Sequence, residues 1–199
     1  MADLLTAPLP EVWYGRPIDP DFRLMVRLAS AYAHGELDGE HPAAGLGVLE
    51  QFYRQPVPSQ DAAGAYQAMV EFFRAGETAA QADAGTEGSG TLEPSFDYRQ
   101  DAAYIVAAFQ QAYGMDLTRE KVHWFRFRAL FAALPEDTLF ARIIGWRTMA
   151  LEDCPAELRD HYRELRQRFA LPPELRGGAA GAVSLQDHDA AFLARFRRR

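Results

Sequence analysis

Apolar residues recur along this chain at spacings of three and four positions, broken by proline and glycine, and this pattern predicts a series of amphipathic helices. The exception lies near the start. In Val12-Trp13-Tyr14-Gly15-Arg16-Pro17-Ile18, β-favouring residues flank a glycine turn, which predicts a short hairpin whose second strand is limited by Pro17. Pro20 and Asp21 then open a helix with Phe22, Met25, Leu28 and Tyr32 as its stripe, and residues 35–42 (GELDGEHP) form a loop by composition. A short helix is expected over 45–55 with Leu46, Leu49 and Phe52 or Tyr53 inward. Pro56 and Pro58 end it, and Ser59 is placed to cap the next helix. That helix carries Ala62, Tyr66, Met69 and Phe73 and stops at Gly76.

Residues 76–95 are poor in large apolar side chains, so they predict a flexible linker. Beyond it, Asp97 and Gln100 have the spacing of a capping box. Tyr98, Ala102, Ile105, Phe109 and Tyr113 form the following stripe, which Gly114 terminates. Thr118 is expected to cap a helix bearing Val122, Trp124, Phe125, Phe127, Leu130, Phe131 and Leu134. Apolar residues cover most of its circumference, the mark of a central helix or of one that meets a partner. Pro135 is read as opening a third helix (Leu139, Phe140, Ile143, Ile144) that ends at Gly145. Pro155 is read as opening a fourth, with Leu158, Tyr162, Leu165 and Phe169 on one face and Arg159, Arg163, Arg166 and Arg168 around the rest. Pro172 and Pro173 close it. A flexible segment over 177–182 and a last short helix over 184–196 complete an all-α chain: a helical bundle with a small N-terminal β-hairpin and a flexible internal linker. The expected organisation is 1–75, hairpin plus helices; 76–95, linker; 96–173, C-terminal helical block; and 174–199, tail.

Charge changes the picture more than length does. Residues 1–97 hold 15 Asp/Glu and 5 Arg, a net of −10, whereas residues 98–199 hold 13 Asp/Glu and 16 Arg/Lys, a net of +3. Such asymmetry suits head-to-tail contacts or an acidic surface facing a basic partner, against the simpler reading of a solvated surface. Of the 21 basic residues only Lys121 is lysine, a bias that fits the alanine-rich composition of a GC-rich genome. No apolar run approaches the roughly 18 residues of a membrane-spanning helix, and the acidic, interrupted start is unlike a secretory signal. The single Cys154 fits a reducing compartment.

Candidate chemistry is sparse. Asp187-His188-Asp189 places three ligand types side by side, but consecutive residues rarely converge on one ion, so a solvated turn is the better reading. His123, among aromatics, reads as a core histidine. Cys154 precedes Pro155 without an identifiable catalytic partner, and neither Ser59 nor Ser184 lies in a nucleophile elbow. Gly45-Leu46-Gly47 and Gly88-Ser89-Gly90 lack the rest of a phosphate-binding loop. Glu136-Asp137 and Glu152-Asp153 fall where acids complement a helix N-terminus. Arg126, Arg128, Arg142 and Arg147 interleave with Trp124, Phe127 and Trp146, a combination able to stack bases and hold phosphates. The acidic chain instead favours aromatic core bordered by arginine stems, so nucleic acid is not the expected partner. No catalytic, metal or cofactor site is assigned, and the expectation is a non-enzymatic protein.

The most specific signal is an ordered set of residues within 96–171: Phe96-Asp97-Tyr98, Gln100-Asp101-Ala102, Ile105, Phe109, Tyr113-Gly114, Leu117 and His123-Trp124. Phe127-Arg128-Ala129-Leu130-Phe131, Leu134-Pro135-Glu136-Asp137-Thr138 and Ile144-Gly145-Trp146-Arg147 follow. In this order and spacing they resemble a phage protein family known as gene product fifteen, encoded among the tail genes of long-tailed bacteriophages. Residues 9–74 resemble it more loosely, through the hairpin and Asp21-Phe22-Arg23; the Gly/Ala-rich linker and the tail beyond Pro173 depart from it. The resemblance implies a role in tail assembly. The leading expectation is a chaperone that binds the tape-measure protein, or other tail proteins, and itself, by presenting aromatic surface to helical segments. The alternative is a structural virion component, such as a head–tail connector or tail-completion subunit. Trp124, Phe127, Arg128, Trp146 and Arg147 are the expected core or partner-binding residues. The expected location is the cytoplasm of the infected or lysogenic host, or the virion if the protein is structural.

Overall fold

A computed structural model describes residues 5–34, 36, 42–74 and 95–176. Residues 76–94 of the expected linker, the segment over 177–182, the terminal helix over 184–196, Ser184, the Gly88–Gly90 glycines and the Asp187–Asp189 triplet lie outside the described residues, as do the side chains of Tyr32, Leu46 and Ser59. The described chain is mostly helical, with one two-stranded antiparallel sheet, as the apolar spacing predicts. Its described residues fall into two compact units, one within Met1–Glu87 and Lys121–Leu130 and the other within Gly88–Glu120 and Phe131–Arg199.

In the first unit β1 (Val12–Trp13) pairs with β2 (Arg16–Pro17), setting Val12 opposite Pro17 and Trp13 opposite Arg16. Tyr14 and Gly15 form the turn with φ of 48° and 76°, the two positive values that match a tight turn to the twist of a hairpin. α1 (Phe22–Ala33) follows, its Asp21 carboxylate accepting from the Arg23 amide at 2.9 Å. α2 (Pro42–Tyr53) starts at its proline rather than at Gly45, since proline is preorganised for a first helical position. Both Phe52 and Tyr53 are buried beside Leu49. α3 (Ala62–Phe73) begins after a 3-10 turn, Ser59–Asp61, so the expected Ser59 cap is displaced: Asp61 holds the cap position, and its carboxylate binds Arg16 rather than a first-turn amide. Ala65, Ala68, Met69, Val70, Phe72 and Phe73 are all buried, a broader face than the predicted stripe.

Lys121–Leu130 joins this unit through backbone. The Phe22 amide donates to the Val122 carbonyl at 2.9 Å and the Trp124 amide to the Pro20 carbonyl at 2.7 Å, around an antiparallel bridge between Asp21 and His123. α5 (Trp124–Ala132) therefore begins six residues after Thr118, which does not cap it. Thr118 instead binds Asp116 within a separate turn, and the ring Nδ1 of His123 accepts from the Phe125 amide at 3.1 Å. The core is largely aromatic: Phe22 stacks on Phe127 (4.5 Å), Phe72 on Phe125 (4.8 Å) and Phe73 on Trp124 (5.1 Å).

In the second unit Asp97 accepts from the amides of Arg99 and Gln100, but the residue that reaches back to the Asp97 amide is Asp101, at 3.0 Å, not Gln100. The chain needs one more turn before the helix starts, so α4 runs Ala102–Tyr113 with Ile105, Ala108 and Phe109 buried, while Ala102 is exposed. Gly114 ends it in the left-handed conformation, φ 65°, its amide returning to the Gln110 carbonyl. Pro135 opens a turn, not a helix. Thr138 is the cap of α6 (Leu139–Thr148), its hydroxyl accepting from the Ala141 amide, and the helix passes through Gly145 to end at Thr148. Phe140, Ile143 and Ile144 are fully buried, whereas Leu139 is exposed. Pro155 likewise precedes a 3-10 turn, Ala156–Leu158, and α7 (Arg159–Arg168) follows with no residue fully buried. Leu158 is exposed rather than part of the inner stripe, and Pro173 opens a last turn, α8 (Pro173–Arg176).

Candidate functional site

The hairpin and α3 build a groove on the first unit. Trp13 anchors the hairpin: its indole N–H donates to the Ala68 carbonyl at 2.8 Å, and its ring meets Phe72 edge-on at 5.4 Å. That anchoring holds Tyr14 at a φ disfavoured for a bulky residue. The Tyr14 ring is 72% exposed, and its hydroxyl donates to Glu71 Oε2 at 2.6 Å. Arg16 donates to Asp61 Oδ2 at 2.8 Å and lies over the Tyr53 ring, whose hydroxyl donates to the Ala65 carbonyl at 2.8 Å. Between these groups lies a groove of about 560 Å³, lined also by Gln60, Gly64 and Gln67.

Both phenols of the groove are held protonated. The bond to Glu71, and that carboxylate's charge, raise the Tyr14 pKa. Burial raises that of Tyr53 against the opposing charge of Arg16. The groove thus offers hydroxyl and amide hydrogen bonds, an exposed aromatic face and carboxylate charge, which are the means of binding. Among the described residues no group of three His, Cys, Asp or Glu could hold a metal ion.

The residues expected from sequence divide between the units. Trp124 and Phe127 lie together in the first, stacked at 5.8 Å and almost wholly buried, with the Trp124 indole donating to the Phe73 carbonyl at 2.7 Å. They are core. Arg128 is half-buried in the same unit. Trp146 and Arg147 lie in the second unit. Trp146 stacks on Phe169 at 5.2 Å under the Arg142 guanidinium. Arg147 grips Asp101 with two bonds, 2.6 and 2.9 Å, and donates to the carbonyls of Phe169 and Ser95 at 2.6 and 3.1 Å. It is a buried clamp joining three segments of its unit.

His123 lies among Phe72 and Phe125 and bonds through Nε2 to the Pro10 carbonyl at 3.0 Å. Since Nδ1 accepts from an amide and Nε2 faces a carbonyl, the network requires the proton on Nε2. Cys154 is buried, its thiol directed at the Ala150 carbonyl. Gly45 and Gly47 lie within α2, not in a phosphate loop. The groove residues Tyr14, Arg16, Asp61 and Glu71 carry no sequence motif. They are scattered over 57 positions, and the one local signal is Gly15 behind an aromatic pair.

These features define a mostly helical protein of two compact units, whose small hairpin frames a polar groove on the first. No helix of the described residues is long and apolar enough to cross a membrane. The family model described as bacteriophage Gp15 protein matches residues 9–171, and the chain belongs to that family. The match spans both the block that resembles gene product fifteen strongly and the one that does so loosely. No curated protein and no solved structure matches the chain.

Proposed function

We propose that this protein is a non-enzymatic tail-assembly chaperone that binds the tape-measure protein. Membership of the bacteriophage Gp15 family carries the reading, together with the resemblance to proteins encoded among phage tail genes. A tape measure is long and helical, with apolar patches that aggregate until tube subunits cover them. A chaperone must therefore offer a surface that masks such patches and releases them. The hairpin suits this role, because Val12 and Tyr14 are exposed on a rigid turn beside a groove with hydrogen-bonding amides and phenols. The buried Trp124, Phe127 and Arg147 support their units from within rather than touching a partner.

Co-expression with the tape-measure protein of the same phage is the test. A soluble complex that pulls down through either protein, with this chain missing from purified particles, is the expected result. A tape measure that stays as insoluble as before, with no complex recovered, overturns the reading. The rival, a structural virion component, is favoured by the charge asymmetry between residues 1–97 and 98–199, which suits repeated head-to-tail contacts. Fixed copies in finished particles would establish it.

A further inference from the structure

The groove on the first unit holds two pairings of a carboxylate with a phenol. In one, Arg16 donates to Asp61 Oδ2 at 2.8 Å and its guanidinium lies over the Tyr53 ring, 5.8 Å from the ring centre. In the other, Tyr14 donates to Glu71 Oε2 at 2.6 Å, which leaves Oε1 as an acceptor. Arg16 is the one cation of the groove lining, so the lining carries two carboxylates against one guanidinium, and that guanidinium is held by Asp61. Gly64, Gln67, Ala68 and Glu71 recur at i, i+3, i+4 and i+7 and share one face of α3. Gly64 and Ala68 keep that face low and leave a trough along about two turns of the helix, with Glu71 at its end. The exposed Tyr14 ring stands there, fixed by its hydroxyl.

We propose that Glu71 and Tyr14 form a receptor site for an arginine side chain carried by the tape-measure protein. The guanidinium pairs with Glu71 and stacks on the Tyr14 ring, and the aliphatic stem lies along the low face of α3. The inference rests on the chaperone reading for the source of the arginine, but not for the chemistry of the site. Arg16 displays that chemistry in the same groove, where a carboxylate and a phenol together hold a planar cation. The second pairing offers the same two groups, and the charge balance of the lining selects a cation over an anion or an apolar side chain. Arginine suits it better than lysine. A guanidinium stacks flat on a ring while its N–H fork reaches a carboxylate at the ring's edge, whereas an ammonium is a compact, strongly hydrated point charge. The trough of small residues also accommodates the arginine stem, which gains by lying on apolar surface.

Titration of the full chain with N-acetyl-arginine amide, followed by backbone amide chemical shifts, tests the site. Binding in the millimolar range is expected for a ligand of this size, with the shifts centred on the amides of Tyr14, Gly15 and Glu71. N-acetyl-citrulline amide, of similar shape but uncharged, should bind at least tenfold more weakly. The arginine probe should lose as much on Glu71→Gln, which keeps an acceptor for Tyr14 but no charge. No saturable shift at these amides, or equal binding of the citrulline or the lysine analogue, overturns the proposal. The source of the arginine is tested on the complex with the tape-measure protein, which Glu71→Gln and Gly64→Leu should each weaken tenfold or more. Gly64→Leu fills the trough where an added Cβ meets nothing within 4 Å, and leucine is the better helix former, so circular dichroism should show the variant folded. Variants that hold the tape-measure protein as tightly as the wild type overturn the inference and leave the chaperone reading standing. A wild type that forms no complex overturns that reading and the arginine's source with it, while the titration still decides the site.

Discussion

Replacing Arg147 with methionine removes a side chain that joins three separate segments of the second unit. In the native protein Arg147 makes a two-pronged pair with Asp101, and the two side chains are only 9% and 1% exposed. Methionine fills similar volume but leaves the Asp101 carboxylate without its counter-ion, still accepting from the Asp97 amide at 3.0 Å. Uncovering one partner of a buried pair costs about 3–5 kcal/mol, because the remaining charge has lost both water and its counter-ion. The Phe169 and Ser95 carbonyls also lose their donor, each worth about 1 kcal/mol where water cannot replace it. Together these terms put the expected loss of stability of this unit for Arg147→Met at about 5–7 kcal/mol, enough to unfold a marginal domain. Urea unfolding followed by circular dichroism and by Trp146 fluorescence measures the loss, since Trp146 stacks within the same unit. Adding Asp101→Leu should restore part of it. A coupling energy of about 2 kcal/mol or more between the two positions is expected from a buried pair. A single-variant loss under about 1 kcal/mol, or a coupling near zero, would refute the view that this pair is desolvated.

Three further outcomes follow from local geometry. Burial lowers the His123 pKa below its ordinary 6.5, against the opposing Pro10 bond and Glu11 charge. The neutral ring's contribution is complete above about pH 6.5 and is lost as pH falls through the lower folded value, since the unfolded chain then binds more protons. The urea midpoint of the wild type should accordingly drop between pH 7.5 and pH 5.5, and that of His123→Asn should drop less; equal slopes would refute the assignment. Gly114→Ala meets no neighbour within 4 Å, so its cost is backbone strain at φ 65° alone, about 1 kcal/mol, readable as a small fall in Tm. Thr138→Ala removes a cap at a position with no exposure and should cost about 1–2 kcal/mol, against a few tenths for Thr118→Ala, whose hydroxyl serves only an exposed turn; hydrogen exchange in the first turn of α6 distinguishes the two.

Helix existence was legible because apolar spacing reports burial directly: Phe22, Met25 and Leu28, or Phe140, Ile143 and Ile144, are where the period puts them. Helix starts were less legible, for one physical reason. Ser59, Thr118, Pro135 and Pro155 are all good first-turn residues, yet each here opens or lies in a tight or 3-10 turn, and the helix begins three to six residues later. The chemistry that caps a helix also stabilises an isolated turn. Which of the two forms depends on where the next buried residue must sit. Gly145 shows the converse: a stop signal overridden because Arg147, two residues on, has to reach Asp101.

The groove was illegible for a different reason. Its residues come from the hairpin turn, the end of α2, a 3-10 turn and α3, and no periodicity links Tyr14 to Glu71 across 57 positions. The aromatic-rich stretch around Trp124 is the louder signal, but aromatics at helical spacing usually mark a core, and here they form one. Exposure separates the two roles. Trp124 and Tyr14 are both large aromatics with a hydrogen-bonded polar tip, yet one is 1% and the other 72% exposed. The exposed ring also occupies a backbone conformation that bulky residues avoid. An exposed aromatic at a sterically costly position, tied by its hydroxyl to a carboxylate that lacks a cation among the described residues, contributes little to the stability of its own unit. Such a ring is placed to meet a partner, the role proposed above for the hairpin.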